Sequence, residues 1–289
     1  MSFLNTRWAP LMWNTKVSKM GFVVVFIFVG ITACKQEPEW EVREELKKHY
    51  DQFNLVGSFA FYDPQANKYI LYNKEQFDQP YTPASTFKIC NALIGIETGV
   101  IKDASYIIPW DSVVRNPVWD KDHDLRSAFE NSAVWYFQEL ARNVGATRMK
   151  QWIDSAHYGN TDTSGGVDQF WLSGGLRISP KQQLEFLQRL HDNTLPFSLR
   201  SMDIVKDIMI VKDSAQYTLR AKSGWGGYED NELGWYVGYL EHQGKVYYFA
   251  NCIQVESKQL EDVNRAIAFD QGRSIIAEQI LKELGCYSK

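Results

Sequence analysis

The strand-like runs of this chain lie near its two ends with a long helical stretch between them, so any sheet it forms has to be assembled from distant parts of the sequence. Val56 to Tyr62 and Tyr69 to Tyr72 are rich in aromatic and apolar residues and flank the turn-forming Asp63-Pro64-Gln65-Ala66-Asn67, which predicts an N-terminal hairpin. Strand signals return at Thr218 to Lys222, Gly234 to Leu240 and Val246 to Ile253, the last two joined through His242-Gln243-Gly244-Lys245. Between these sets, apolar residues recur at helical spacing over Phe87–Thr98, Ala128–Val144, Thr147–His157 and Pro180–Asn193. A closing helix is expected over Gly272–Leu284, stopped by Gly285, and another over Trp40–Phe53 from its i,i+4 acid and base partners. The expected fold is α+β: one antiparallel sheet from both chain ends, flanked by helices, with an inserted helical lobe and a cleft between the lobes.

The first residues are a different kind of sequence. Lys16 and Lys19 precede the apolar run from Gly21 to Ile31, which meets Thr32-Ala33-Cys34. A basic segment, a short apolar stretch and small residues before a cysteine describe an export signal, since about eleven residues are too few for a comfortable membrane span. Ile31-Thr32-Ala33-Cys34 resembles a bacterial lipobox, which makes Cys34 a candidate lipidated N-terminus and places the protein in the periplasm or cell envelope. Lys35 after the cysteine favours the outer membrane over the inner. The expected organisation is a signal over 1–34, a tether and helix over 35–53, and a catalytic domain over 54–289. A downstream start such as Met20 stays open.

Composition excludes several classes. The net charge of −4 removes the electrostatic basis for nucleic-acid binding. Cys90, Cys252 and Cys286 form no CxxC pair, and the five histidines show no zinc spacing, so no metal is expected. One disulfide among the three cysteines is permitted in an oxidising compartment. Ten Trp, 15 Tyr and 16 Phe can furnish both a core and an apolar pocket.

The chemistry concentrates in three short motifs. In Tyr81-Thr82-Pro83-Ala84-Ser85-Thr86-Phe87-Lys88, Thr82 can cap a helix and Pro83 suits its first position, which would put Ser85 in the first turn with Lys88 beside it at i+3. A hydroxyl there has amide donors for a developing oxyanion and an amine within reach of its proton. Ser-x-x-Lys alone is weak, because chance produces it. Support comes downstream, from Ser132-Ala133-Val134 early in a helix and from Lys222-Ser223-Gly224 at the end of a strand, where a cation, a hydroxyl and glycine can hold a carboxylate.

Taken together, these motifs resemble the class D serine β-lactamases, from about Asn54 to Gly285. Four further matches carry the resemblance: Tyr158-Gly159-Asn160, the segment Phe170-Trp171-Leu172 with Leu176-Arg177-Ile178-Ser179, the run Gly234 to Tyr239, and Arg273 twelve residues before Gly285. The resemblance implies that Ser85 is acylated by the opening lactam, that Lys88 is carboxylated by carbon dioxide or bicarbonate into an N6-carboxylysine base, and that Trp171 donates its indole N–H to that group. It further implies an apolar pocket from Val134 and Leu172, a proton relay through Ser132, and an oxyanion hole from the Ser85 and Trp225 amides. Lys222, Ser223, Gly224 and Arg273 would hold the substrate carboxylate, with Arg265 in reserve for Arg273. No other cofactor is expected. The expected partners are β-lactams and a lipid anchor, with homodimerisation left open. Ser223 stands where the class usually has Thr, and Ser173-Gly174-Gly175 where many members have an acid and Pro. The competing expectations are a β-lactam sensor or a penicillin-binding transpeptidase, acylated but not turned over, and an inert envelope lipoprotein keeping the fold.

Overall fold

A computed structural model describes residues 37–287, together with Ala9. The apolar run, Cys34 and Lys35 lie outside the described residues. In chain order the strands are β1 (Glu39–Val42), β2 (Val56–Asp63), β3 (Lys68–Tyr72), β4 (Ile107–Ile108), β5 (His123–Asp124), β6 (Ile210–Asp213), β7 (Tyr217–Tyr228), β8 (Asn231–His242) and β9 (Lys245–Glu256). The α-helices are α1 (Lys47–Asp51), α2 (Lys88–Glu97), α3 (Leu125–Glu130), α4 (Val134–Val144), α5 (Ala146–Ala156), α6 (Pro180–His191), α7 (Leu199–Ile208) and α8 (Val263–Glu283).

Among the described residues, a seven-stranded sheet has the order β1-β3-β2-β9-β8-β7-β6. The N-terminal hairpin joins the C-terminal meander through antiparallel pairing of β2 with β9, from Val56 opposite Gln254 to Tyr62 opposite Tyr248. The expected α+β fold is therefore the observed one, with the helical segment from α2 to α7 inserted between the hairpin and the meander. Side-chain alternation along the strands supplies two apolar faces. Tyr248, Ala250 and Cys252 of β9 join the core made with the helical lobe, where Phe87, Leu93, Phe137 and Leu187 are buried. Phe249 and Ile253 of the same strand face the opposite way, onto Phe269, Ile276 and Ile280 of α8.

Four expectations need correction. Trp40 to Val42 is a strand, not the start of a helix, and pairs in parallel with Tyr69 to Leu71. The edge of β3 offers unpaired backbone groups and Trp40 stacks on Tyr69 at 4.5 Å between ring centroids, so tertiary pairing overrides the local i,i+4 pattern and leaves a 3-10 turn at Glu44–Leu46 running into the short α-helix Lys47–Asp51. The run from Ala128 to Val144 is broken into α3 and α4, because Ser132 adopts φ of +52° and its neighbour Ala133 hydrogen-bonds back to Ala128. The closing helix begins nine residues earlier than expected, at Val263, with Asp262 capping the Asn264 amide. α7 has no counterpart among the expected helices. The three described cysteines Cys90, Cys252 and Cys286 are buried and free, so the permitted disulfide is not formed.

Candidate active site

Ser85 sits in a short 3-10 turn, Ala84–Phe87, that runs directly into α2. The expected capping by Thr82 is absent: no side chain caps this turn, Pro83 precedes it, and Thr82 instead offers its carbonyl to the Trp235 indole N–H at 3.0 Å. Ala84 takes φ of +47°, a costly conformation for a residue with a Cβ, and it persists because neighbours hold it on several sides. The Ala84 amide donates to the Trp171 carbonyl at 3.1 Å, and Tyr81 exchanges backbone bonds with Ile178. Thr86 donates to the Pro83 carbonyl and accepts from the Gln183 amide at 2.9 Å. β7 closes the turn from another side. A Cβ on Gly224 would stand 3.2 Å from the Pro83 carbonyl oxygen, so a side chain there would crowd the strand away from the nucleophile.

Lys88 lies one turn past Ser85, fully buried, with Nζ 2.6 Å from Ser85 Oγ. It sits 5.4 Å from the centre of the Phe137 ring. Burial pushes its amine pKa well below the usual lysine range, and the charge on Lys222 pushes it further the same way. A lysine so placed can be a neutral acceptor, or an amine free to react, where an exposed one would stay protonated.

Trp171 is also fully buried, tilted against Phe87 at 5.3 Å, and its indole nitrogen has no hydrogen-bond partner among the described residues. An orphaned buried N–H is uncommon and calls for an acceptor that the described residues do not provide. The loop bearing it is closed by Asn160, whose amide group donates to the Gly175 carbonyl at 3.0 Å and whose side-chain oxygen accepts from the Arg177 amide at 2.9 Å. Gly159 has φ of +56°, and Tyr158 packs edge-on against Phe87. The Tyr-Gly-Asn and Trp-containing motifs are thus two ends of one tied loop that braces the Ser85 turn.

On the opposite side, the Ser132 turn points its hydroxyl at Lys222, whose Nζ donates to Ser132 Oγ. Lys222 lies within β7, not at the strand's end, because the pairing with β8 continues to Tyr228. Burial lowers the Lys222 pKa to about 7, helped by the charge of Arg273. Burial also lowers Arg273, to about 10. Arg273 lies in the middle of α8, where it donates to the Gly224 carbonyl at 3.1 Å and places its guanidinium 5.4 Å from the Trp225 ring centre.

A cavity of about 430 Å³ is lined by Ser85, Ser132, Val134, Ser223, Gly224, Trp225 and Arg273. Ser85 is 8% exposed, enough for its hydroxyl to face this space. Leu172 is half-buried and packs against the core, and it is not among the residues lining the cavity. Arg265 is elsewhere, bound to the Phe53 and Asn54 carbonyls. Sequence reasoning missed Glu130, Asn131 and Asp270, which also line the cavity. Asp270 had a legible signal, an acid three residues before Arg273 on one helix face.

Comparison with known proteins identifies the family of this chain. Residues 48–281 match the family model of the penicillin binding protein transpeptidase domain. The chain is 40% identical over 215 residues to the probable β-lactamase YbxI of Bacillus subtilis, covering 74% of this chain and 80% of that protein. A crystal structure of the class D β-lactamase YbXI from Nostoc superposes with a TM-score of 0.77 at 41% identity, covering 84% of this chain and 99% of that one. The chain belongs to the class D β-lactamases. The same class D fold is shared by the C-terminal domain of the Bacillus licheniformis BlaR penicillin-receptor, with a TM-score of 0.80, 30% identity, and coverage of 88% and 99%.

The perturbed Lys222 gives a pH test of this class D site. With its folded pKa near 7 and the usual value at 10.5, the unfolded chain binds more protons between those pH values. Stability should therefore rise with pH across that window as the buried charge is relieved. Lys222→Met should be more stable than the native chain near pH 6, with the difference shrinking toward pH 10 in urea denaturation. Parallel stability curves for the two proteins would contradict a depressed Lys222.

Proposed function

We propose that the protein hydrolyses penicillin-type β-lactams through an acyl-enzyme on Ser85, with Lys88 as the base and dissolved carbon dioxide as its activator. The observation that carries this reading is the buried Lys88 amine, 2.6 Å from Ser85 Oγ, in a site that also holds the partnerless indole N–H of Trp171. As Ser85 attacks the lactam carbonyl, Lys88 accepts its proton, and the Ser85 and Trp225 amides receive the developing oxyanion. Ser132, hydrogen-bonded to Lys222, delivers a proton to the departing nitrogen. Arg273 and Ser223, which line the cavity, take the substrate carboxylate with Lys222. Carbon dioxide bonding to the neutral Lys88 amine, with the displaced N–H proton released to solvent, would give a carbamate, an anionic base at neutral pH that would accept the Trp171 N–H. The low pKa of Lys88 suits that reaction, since only a neutral amine combines with carbon dioxide. In this reading Val134, which lines the cavity, and Leu172, which packs against the core, supply the apolar surroundings of the Lys88 amine.

Similarity to the BlaR penicillin-receptor domain makes a sensor the second reading, one in which Ser85 stays acylated. Mixing the purified chain with a chromogenic cephalosporin, with and without bicarbonate, and following intact mass separates the two. Hydrolysis over many cycles, stimulated by bicarbonate, is expected; a single burst with a lasting adduct would establish the sensor instead. Lys88→Ala should lose deacylation by roughly 10² to 10⁴. Trp171→Phe keeps an aromatic ring against Phe87 but removes the N–H, so Ser85 should still acylate while deacylation slows by about 10- to 100-fold. Added bicarbonate should recover part of that loss, and turnover equal to the native enzyme's would refute the Trp171 role.

We further propose that Cys34 is lipidated and holds the enzyme at the cell envelope, as its lipobox-like setting after the apolar run suggests. Cys34→Ser should move the protein from the membrane fraction to the soluble fraction on cell fractionation, and an unchanged distribution would discard the anchor.

A further inference from the structure

Arg273 does not present an open guanidinium to the cavity. Its Nε donates to the Asp270 carbonyl oxygen at 3.1 Å, Nη1 donates to the Gly224 carbonyl at 3.1 Å, and Nη2 donates to the Asp270 carboxylate. The two side chains differ sharply in exposure: Arg273 is 12% exposed and Asp270 55%. Both line the cavity that holds Ser85, and both also line an adjoining cavity of about 580 Å³ beside β6 and β7. An arriving anionic substrate thus meets a cation whose charge is already matched by a carboxylate of the same helix.

We propose that Asp270 is a specificity-determining residue of this enzyme, an internal carboxylate that competes with the carboxylate of the β-lactam for Arg273. The inference rests on the reading of Arg273 as the carboxylate-binding group. The geometry divides orientation from charge. Two of the three bonds on the guanidinium go to backbone carbonyls, so Arg273 keeps its place over Trp225 whatever side chain stands at 270. The third bond neutralises it. Because the Asp270 side chain is mostly in water, it can swing aside when a substrate binds, and the cost of that displacement appears in substrate affinity and not in the chemical steps at Ser85. The pairing disfavours substrates whose binding depends on their carboxylate, relative to those that lack one.

The test uses the native enzyme, Asp270→Asn, Asp270→Ala and Arg273→Ala, assayed with benzylpenicillin and with its methyl ester, which has no free carboxylate. Asp270→Asn keeps an oxygen acceptor for Nη2 and removes only the charge. It should raise kcat/KM for benzylpenicillin by about fivefold through KM, with kcat nearly unchanged, and leave the ester's kinetics as they were. Asp270→Ala should change KM in the same direction. A KM for benzylpenicillin that stays fixed in both variants, or an equal fall for acid and ester, overturns the proposal. Arg273→Ala distinguishes the two levels of the reading. It should raise KM for the acid and not for the ester; if it changes neither, the role of Arg273 fails and the Asp270 inference with it. If it raises KM for the acid while the Asp270 variants change nothing, only the Asp270 inference fails.

Discussion

The rest of the site depends on keeping the Lys88 amine out of water while holding it against Ser85. A buried ammonium without a counter-ion is strongly disfavoured, so the protein favours the neutral amine, and its surroundings reinforce that choice. Phe137 borders the amine and Trp171 fills the core beside the same turn. Charge adds to burial in a sequence of three cations, with Arg273 depressing Lys222 and Lys222 depressing Lys88. The arrangement costs stability and favours a neutral amine beside Ser85, a common exchange at functional sites.

Holding this geometry requires both parts of the α+β body. The Ser85 turn belongs to the helical lobe, yet it is tied to the sheet through Trp235 and crowded by Gly224, and it is tied to the Trp171 loop through Ala84. The positive φ values of Ala84 and Ser132 fall on the two sides of the cavity where a hydroxyl must face it. Backbone strain of this kind survives only where surrounding contacts over-determine it, and here those contacts come from segments far apart in the chain. The Lys222 to Ser132 bond joins β7 to the turn before α4 in the same way.

Much of this was legible beforehand, but unevenly. The five long strand signals and the central helices follow from side-chain periodicity, which is local, and they appear close to where the sequence placed them. The short motifs around Ser85, Ser132 and Lys222 were legible because their chemistry needs particular residue types at close spacing. Trp40 misled because its strand exists only by virtue of the β3 edge. The run from Ala128 to Val144 misled because a break at Ser132 is held by the Phe129 and Ala128 carbonyls, which receive the Ser132 and Ala133 amides. Leu172, which the resemblance implies for the apolar pocket, is half-buried against the core.

By itself the sequence determined the fold class, the Ser85 and Lys88 pair, and the family, because hydrophobic period and motif spacing are properties of neighbouring residues. Tertiary structure decided that Arg273 and not Arg265 lines the Ser85 cavity, that Arg273 arrives already paired with Asp270, and that Trp171 is left without an acceptor among the described residues. It also decided that Lys88 and Lys222 are buried with depressed pKa values. Burial and electrostatic coupling depend on what the whole chain packs around a group, and no window of sequence contains that information.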